Sequence, residues 1–163
     1  MVPFVVEEME EYSKNSHGYY DLKAHVVWAT RYGRPELWGE EAIRVRELVR
    51  KTCKELEVHI LAGNVRKDHV HLLLSYPPQL SLSRLVHRLK EDTSHKLLEE
   101  SERLQKEFLE KRLWNRGYLA VSTGSTENVG DIIAEYIKNQ DSIGKHTKSS
   151  LFYLKACTPK NSS

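Results

Sequence analysis

Cysteine is scarce in this chain. Cys53 and Cys157 stand apart, with neither paired spacing nor the clustered spacing of a metal-binding knuckle. That excludes a disulfide framework and points to free thiols in a reducing cytoplasm. Long apolar runs are missing as well: no stretch approaches the ~20 residues that cross a bilayer. "MVPFVVEEMEEY" lacks the basic start and long apolar core of a secretory leader. No membrane partner is therefore expected. There is no internal repeat and no low-complexity tract. Nor does one sign of charge dominate. Charged residues make up 29%, both signs are interspersed, and the formal net charge is only +2. That balance does not by itself demand a polyanionic partner.

What is present is uneven. The chain has 163 residues, 39% of them hydrophobic, enough for one domain with a proper core. Within residues 1–16, four glutamates face one lysine, a local net of −3. The remaining 147 residues carry 24 basic against 19 acidic side chains, a net of +5. From Lys138 onward five lysines face Asp141, a net of +4. The organisation expected is an acidic arm over residues 1–18, a domain over 19–142 and a basic tail over 143–163. A basic body with a basic tail suits nucleic acid, and equally suits a solvated lysine-bearing surface.

The local signals alternate between strand and helix. "LKAHVVWATRY", Leu22 to Tyr32, is rich in β-branched and aromatic residues and predicts a strand. "RYGRPELWG" breaks it with Gly33 and Pro35 into a basic loop. Glu40 to Leu56 has Ile43, Val45, Leu48, Val49 and Cys53 near helical spacing. Val58 to Val65 and Val70 to Tyr76 predict two strands joined as a hairpin by "NVRKD", the second stopped by Pro77 and Pro78. Ser81 caps a long helix whose inner stripe is Leu82, Leu85, Val86, Leu89, Thr93 and Leu97. "SERLQKEFLEKR" extends it or forms a separate helical turn. Leu113 to Gly124 predicts a fourth strand, and Ser125 or Thr126 opens a last helix ending "EYIKNQ". Strand, helix, strand, strand, helix, strand is the split βαβ pattern. It predicts an α+β, ferredoxin-like (RNA-recognition-motif-like) fold, with four antiparallel strands and two helices on one face. The other sheet face is left for function, with the last helix beside it.

Two patterns carry chemistry. In "KDHVHLLLSYP" strand alternation turns His69 and His71 to one face and Val70, Leu72 and Leu74 to the other. Two neutral imidazoles side by side can grip a divalent cation, or can simply be two histidines on an exposed sheet face. A two-histidine phosphodiesterase would need a second His-x-Thr/Ser motif, and there is none. In "EYIKNQ" Tyr136 and Gln140 lie four residues apart and so share a helix face. A phenol, with a free pKa near ~10, becomes useful against a phosphodiester when a cation stabilises the developing charge. Gln140 could offer that cation a neutral oxygen. The plain alternative is a tyrosine on an amphipathic helix with a terminal glutamine in solvent.

Taken together, the blocks "HVVWATRYGRP", "DHVHLLLSYPP", "LSLSRLVHRLK", "LWNRGYLAVSTG" and "EYIKNQ", in this order over about Tyr20 to Gln140, are distinctive. The chain resembles the single-tyrosine HUH transposases of the smallest prokaryotic insertion sequences, the transposase A type of the two-hundred/six-hundred-five group. The resemblance implies a Mg2+ or Mn2+ ion held by His69, His71 and Gln140, and Tyr136 as the nucleophile. It also implies single-stranded DNA with hairpin ends as substrate, a 5′-phosphotyrosine intermediate and no nucleotide cofactor. A homodimer is implied too, in which the tyrosine helix of one subunit can complete the site of the other. Candidate phosphate contacts are Arg31, Arg34, Arg66, Lys67, Lys90 and Arg116, and candidate stacking rings are Tyr32, Trp114 and Tyr118. The chain departs from the usual pattern at Gly33, where a basic residue is customary, and at Glu91 and Asp92, which replace small and basic positions. The readings kept beside this one are a domesticated hairpin-processing nickase relative and a non-catalytic single-stranded nucleic-acid-binding module.

Overall fold

The computed structural model describes residues 1–4, 13–15, 18–123 and 128–140. The elements run β1 (Val2–Pro3), β2 (Ser13–Asn15), β3 (Gly18–Tyr20), β4 (Lys23–Ala29), a 3-10 turn (Arg31–Gly33) and α1 (Glu40–Glu55). Then come β5 (His59–Val65), β6 (His69–Ser75), α2 (Leu82–Glu100), α3 (Glu102–Glu107), β7 (Leu119–Ser122) and α4 (Val129–Gln140). The strands β1, β5, β6, β4 and β7 lie side by side in that order in one antiparallel sheet. β2 and β3 pair separately.

The central strands owe their burial to alternation. Ala24, Val26 and Trp28 of β4, with Val70, Leu72 and Leu74 of β6, are buried on the face covered by α1 and α2. The stripe on α1 is Ala42, Val45, Leu48, Val49, Thr52 and Cys53. Ile43, expected to face inward, is instead 42% exposed. On α2 the buried stripe is Leu85, Val86, Leu89, Thr93 and Leu97, with Leu82 only partly covered. Ser81 caps that helix, its hydroxyl accepting from the Arg84 amide at 3.2 Å. Ser101 ends α2 and caps α3, so "SERLQKEFLEKR" forms a separate short helix. Cys53 is buried and takes part in no disulfide among the described residues.

Two features differ from expectation. The sheet has a fifth strand, because the start of the acidic arm joins it: Val2 and Pro3 pair with Val65 and Asn64. Phe4 follows, buried, its amide donating to the Gly63 carbonyl at 3.1 Å. Gly63 is what permits that approach. A Cβ there would lie 2.7 Å from a Leu72 methyl and 2.9 Å from the Phe4 ring. The last strand is also shorter than Leu113 to Gly124. In unbroken register with β7, Thr30 would face Arg116, but it bridges Trp114 instead. The intervening chain bulges outward through Gly117, whose φ of 81° lies in the left-handed region that suits glycine.

The second sheet face carries α4. α4 packs there over β4 and β7, burying Ile133 and Tyr136 with Val27, Leu119 and Val121. The cap expected at Ser125 or Thr126 and the basic tail over 143–163 lie outside the described residues. No helix among the described residues is long and apolar enough to cross a membrane.

Candidate active site

β6 delivers both histidines to the face that carries α4. His69 stands across from Ala29 and His71 across from Val27, while Val70 between them faces Trp28 in the core. The Nδ1–H of His69 donates to the Asp68 carboxylate at 2.7 Å. That bond fixes the ring and leaves Nε2 as the nitrogen that can ligate. The same hydrogen bond holds the Asp68 carboxyl below its ordinary range. His71 shares a hydrogen bond with His25 of β4, Nε2 to Nδ1 at 3.1 Å. Burial, with the neighbouring His25, His69 and Arg66 charges, pushes the His71 imidazole down to about 4. Burial also lowers His25. Both rings are therefore neutral at physiological pH, the state a metal ligand needs.

α4 brings in the other half. Tyr136 is only 2% exposed and sits in the apolar cluster with Val27, the residue across from His71. One turn on, Gln140 is buried at the helix end, its Oε1 accepting from Asn115 Nδ2 at 3.1 Å and its Nε2 donating to the Tyr136 carbonyl at 3.2 Å. Asn115 in turn ties its own amide to the Ala29 carbonyl at 2.9 Å and takes the Tyr32 amide on its side-chain oxygen at 3.1 Å. Because Ala29 lies across from His69, this chain of bonds sets Gln140 at the His69 end of β4. Tyr136 and Gln140 thus lie over the sheet face to which His69 and His71 point.

Among the described residues no three His, Cys, Asp or Glu side chains are placed to hold a metal ion. A cation at His69 and His71 would need a further donor of another kind, such as the amide oxygen of Gln140 over the same sheet face. Two imidazole nitrogens and one carbonyl-type oxygen are a donor set that suits Mn2+ and, with water completing the shell, Mg2+.

The candidate DNA contacts divide into two groups. Arg31 pairs with Glu110 and donates to the Tyr32 hydroxyl at 3.0 Å. Arg34 donates to the Glu107 carbonyl and lies 3.6 Å from its carboxylate. Lys90 donates to the carbonyls of Asn115 and Gly117, both at 2.7 Å, so its ammonium holds the bulge before β7. Arg66, Lys67 and Arg116 are exposed, and no carboxylate among the described residues forms an ion pair with them. Of the rings, Trp114 is core, its indole donating to Thr93 at 2.9 Å and meeting Trp28 edge-on. Tyr118 is half-buried and Tyr32 is 43% exposed.

Residues 18–140 match the family described as "Transposase IS200 like". The chain belongs to this family. A curated IS200-like transposase, the transposase for insertion sequence element IS200 from Salmonella typhimurium, is 34% identical over 125 residues, covering 77% of this chain and 80% of that one. The ISDra2 transposase TnpA from Deinococcus radiodurans is 30% identical over 128 residues, covering 78% and 90%. Among solved structures, a candidate transposase from Deinococcus radiodurans R1 superposes with a TM-score of 0.70 at 28% identity, covering 78% of this chain and 98% of that one. A REP-associated tyrosine transposase bound to a REP hairpin reaches a TM-score of 0.51 at 15% identity, over 88% and 77%. The last is a likeness of fold alone.

Three neighbours of the site escaped sequence reasoning. Asp68 adjoins His69 in "KDHVH" and was there to be seen as an orienting carboxylate. His25 sits in a strand of the right period, but its meeting with His71 depends on β4 lying next to β6. Asn115 carried no signal at all, because its role comes from the bulge before β7.

Proposed function

We propose that this IS200-like transposase cuts and rejoins single-stranded DNA at hairpin-bearing ends through a phosphotyrosine on Tyr136. The observation that carries the reading is the joint placement of Tyr136 and Gln140 on one turn of α4, over the sheet face to which His69 and His71 point. The strand order β7-β4-β6-β5, with α1 and α2 on the opposite face, supports a ferredoxin-like frame to which β1 adds an edge.

His69, His71 and Gln140 would hold a Mg2+ or Mn2+ ion, which when bound supplies positive charge to the scissile phosphate. The phenolic oxygen of Tyr136 attacks phosphorus. The bond from oxygen to phosphorus forms as the bond to the 3′ oxygen breaks, and the proton lost by the phenol balances the one gained by the 3′-hydroxyl. A 3′-hydroxyl of another strand then attacks the phosphotyrosine, joining DNA and restoring Tyr136. One phosphate ester replaces another at each step, so no nucleotide cofactor is required.

The burial of Tyr136 adds a condition. At 2% exposure its oxygen meets a phosphodiester only when α4 leaves its seat over β4 and β7. A homodimer that takes up the displaced helix satisfies that condition and lets one subunit complete the site of the other. The test is an incubation of labelled single-stranded hairpin DNA from the element's own ends with Mn2+. A denaturant-resistant protein–DNA adduct is expected with metal, and none with chelator or in His69→Ala. An adduct of equal yield in chelator sinks the metal-assisted reading.

A further inference from the structure

A cavity of about 900 Å³ opens between α2 and the bulge that leads into β7. Its walls include Arg84, Arg112, Arg116 and Tyr118, and the buried Asn115 and Trp114 underlie it. Charge matching separates its three arginines from five others. Arg31, Arg34, Arg44, Arg88 and Arg103 are each paired with a carboxylate. Arg84, Arg112 and Arg116 are exposed, and none of them forms an ion pair with a carboxylate among the described residues. The one acidic side chain at the cavity, Glu91, lies 3.8 Å from His87. Lys90 also lines it, but its ammonium is held by the Asn115 and Gly117 carbonyls.

We propose that this cleft is a binding track for single-stranded DNA, with phosphates on Arg84, Arg112 and Arg116 and a base against the Tyr118 ring. Guanidiniums present planar forks that match phosphate oxygens, and an aromatic ring stacks on any base. Stacking on the Tyr118 ring needs an unpaired base, which a single strand offers and a blunt duplex does not. The cleft is tied to the candidate active site by Asn115, which lines it and donates to Gln140. The track rests on the proposed strand-cutting function and extends it. It also relocates the phosphate contacts from Arg31, Arg34 and Lys90, whose charges are engaged, to Arg84 and Arg112 beside Arg116.

The test separates binding from chemistry. Anisotropy of labelled oligothymidylate is measured in chelator on Tyr136→Phe protein, so that no adduct forms. Adding Arg84→Ala, Arg112→Ala and Arg116→Ala is expected to weaken binding at least ~10-fold and to flatten the log–log salt dependence by about 2, as three lost single-strand phosphate contacts require. The control is Arg50→Ala, Lys51→Ala and Lys54→Ala on α1, which removes the same charge away from the cleft and is expected to leave both quantities unchanged. An unchanged affinity and slope in the cleft variant, or an equal loss in the control, overturns the proposal. So does an equal loss for a blunt duplex. Cleft-dependent binding, together with no adduct from the parent protein in Mn2+, would sink the chemistry and support the track. Adduct formation by the cleft variant at the parent's DNA concentration would sink the track alone.

Discussion

Asn115 uses every polar group it has. Its amide goes to Ala29, its carbonyl to Lys90, its side-chain oxygen to Tyr32 and its side-chain nitrogen to Gln140. The carbonyl-type oxygen of Gln140 is thereby aimed by a donor that locks which way the amide faces. Asn115→Ala is expected to destabilise the fold by ~1–3 kcal/mol, the usual cost of stranding buried hydrogen-bonding groups, and to weaken Mn2+ binding in a calorimetric titration. Wild-type Mn2+ affinity in that variant would remove Asn115 from the site's support. At His71 the expectation concerns pH. Its imidazole is pushed down to about 4 from an ordinary 6.5. Between those values the unfolded chain binds a proton that the folded chain does not, so stability falls as pH drops through that window and levels off below it. Burial of His25 acts in the same direction. Urea midpoints in chelator, compared near neutrality and at mildly acid pH, should show a smaller drop in His71→Asn than in the parent.

At the scale of elements, the strand and helix periods carried most of what could be read. α1, α2 and the two-faced β6 follow directly from apolar spacing. The split of the last strand does not, because it rests on Thr30 facing Trp114 rather than Arg116, a register that only the assembled sheet defines. The pairing of Arg31 with Glu110 and Arg34 with Glu107 is illegible for a similar reason. Those partners lie far along the chain and meet only once α3 and the segment after it fold back. The acidic arm shows the same limit: its charge marks it as apart from the domain, yet Val2, Pro3 and Phe4 at its start join the sheet. Gly63→Ala is expected to cost ~1–3 kcal/mol by overpacking against Leu72 and Phe4, read as a lower melting temperature. An unchanged melting temperature would mean that Phe4 is not seated on β5.

At the scale of the whole molecule, the described residues form two apolar clusters of unequal weight. The larger joins the sheet to α1 and α2, while the smaller holds α4 over β4 and β7. A helix secured by the smaller cluster opens at lower free energy than the sheet beneath it. Amide hydrogens of α4 are therefore expected to exchange before those of β4 and β6. Exchange of α4 only with global unfolding would contradict a helix that moves to expose Tyr136. The family match and the sheet face that Tyr136 shares with His69 and His71 direct the test to that one side chain. The most direct measurement is to digest the protein–DNA adduct formed with Mn2+ and locate the nucleotide mass by spectrometry. The account predicts that the peptide carrying Tyr136 holds a 5′-phosphate linkage and that Tyr136→Phe yields no adduct. A nucleotide on any other residue, or an adduct that survives Tyr136→Phe, would contradict it.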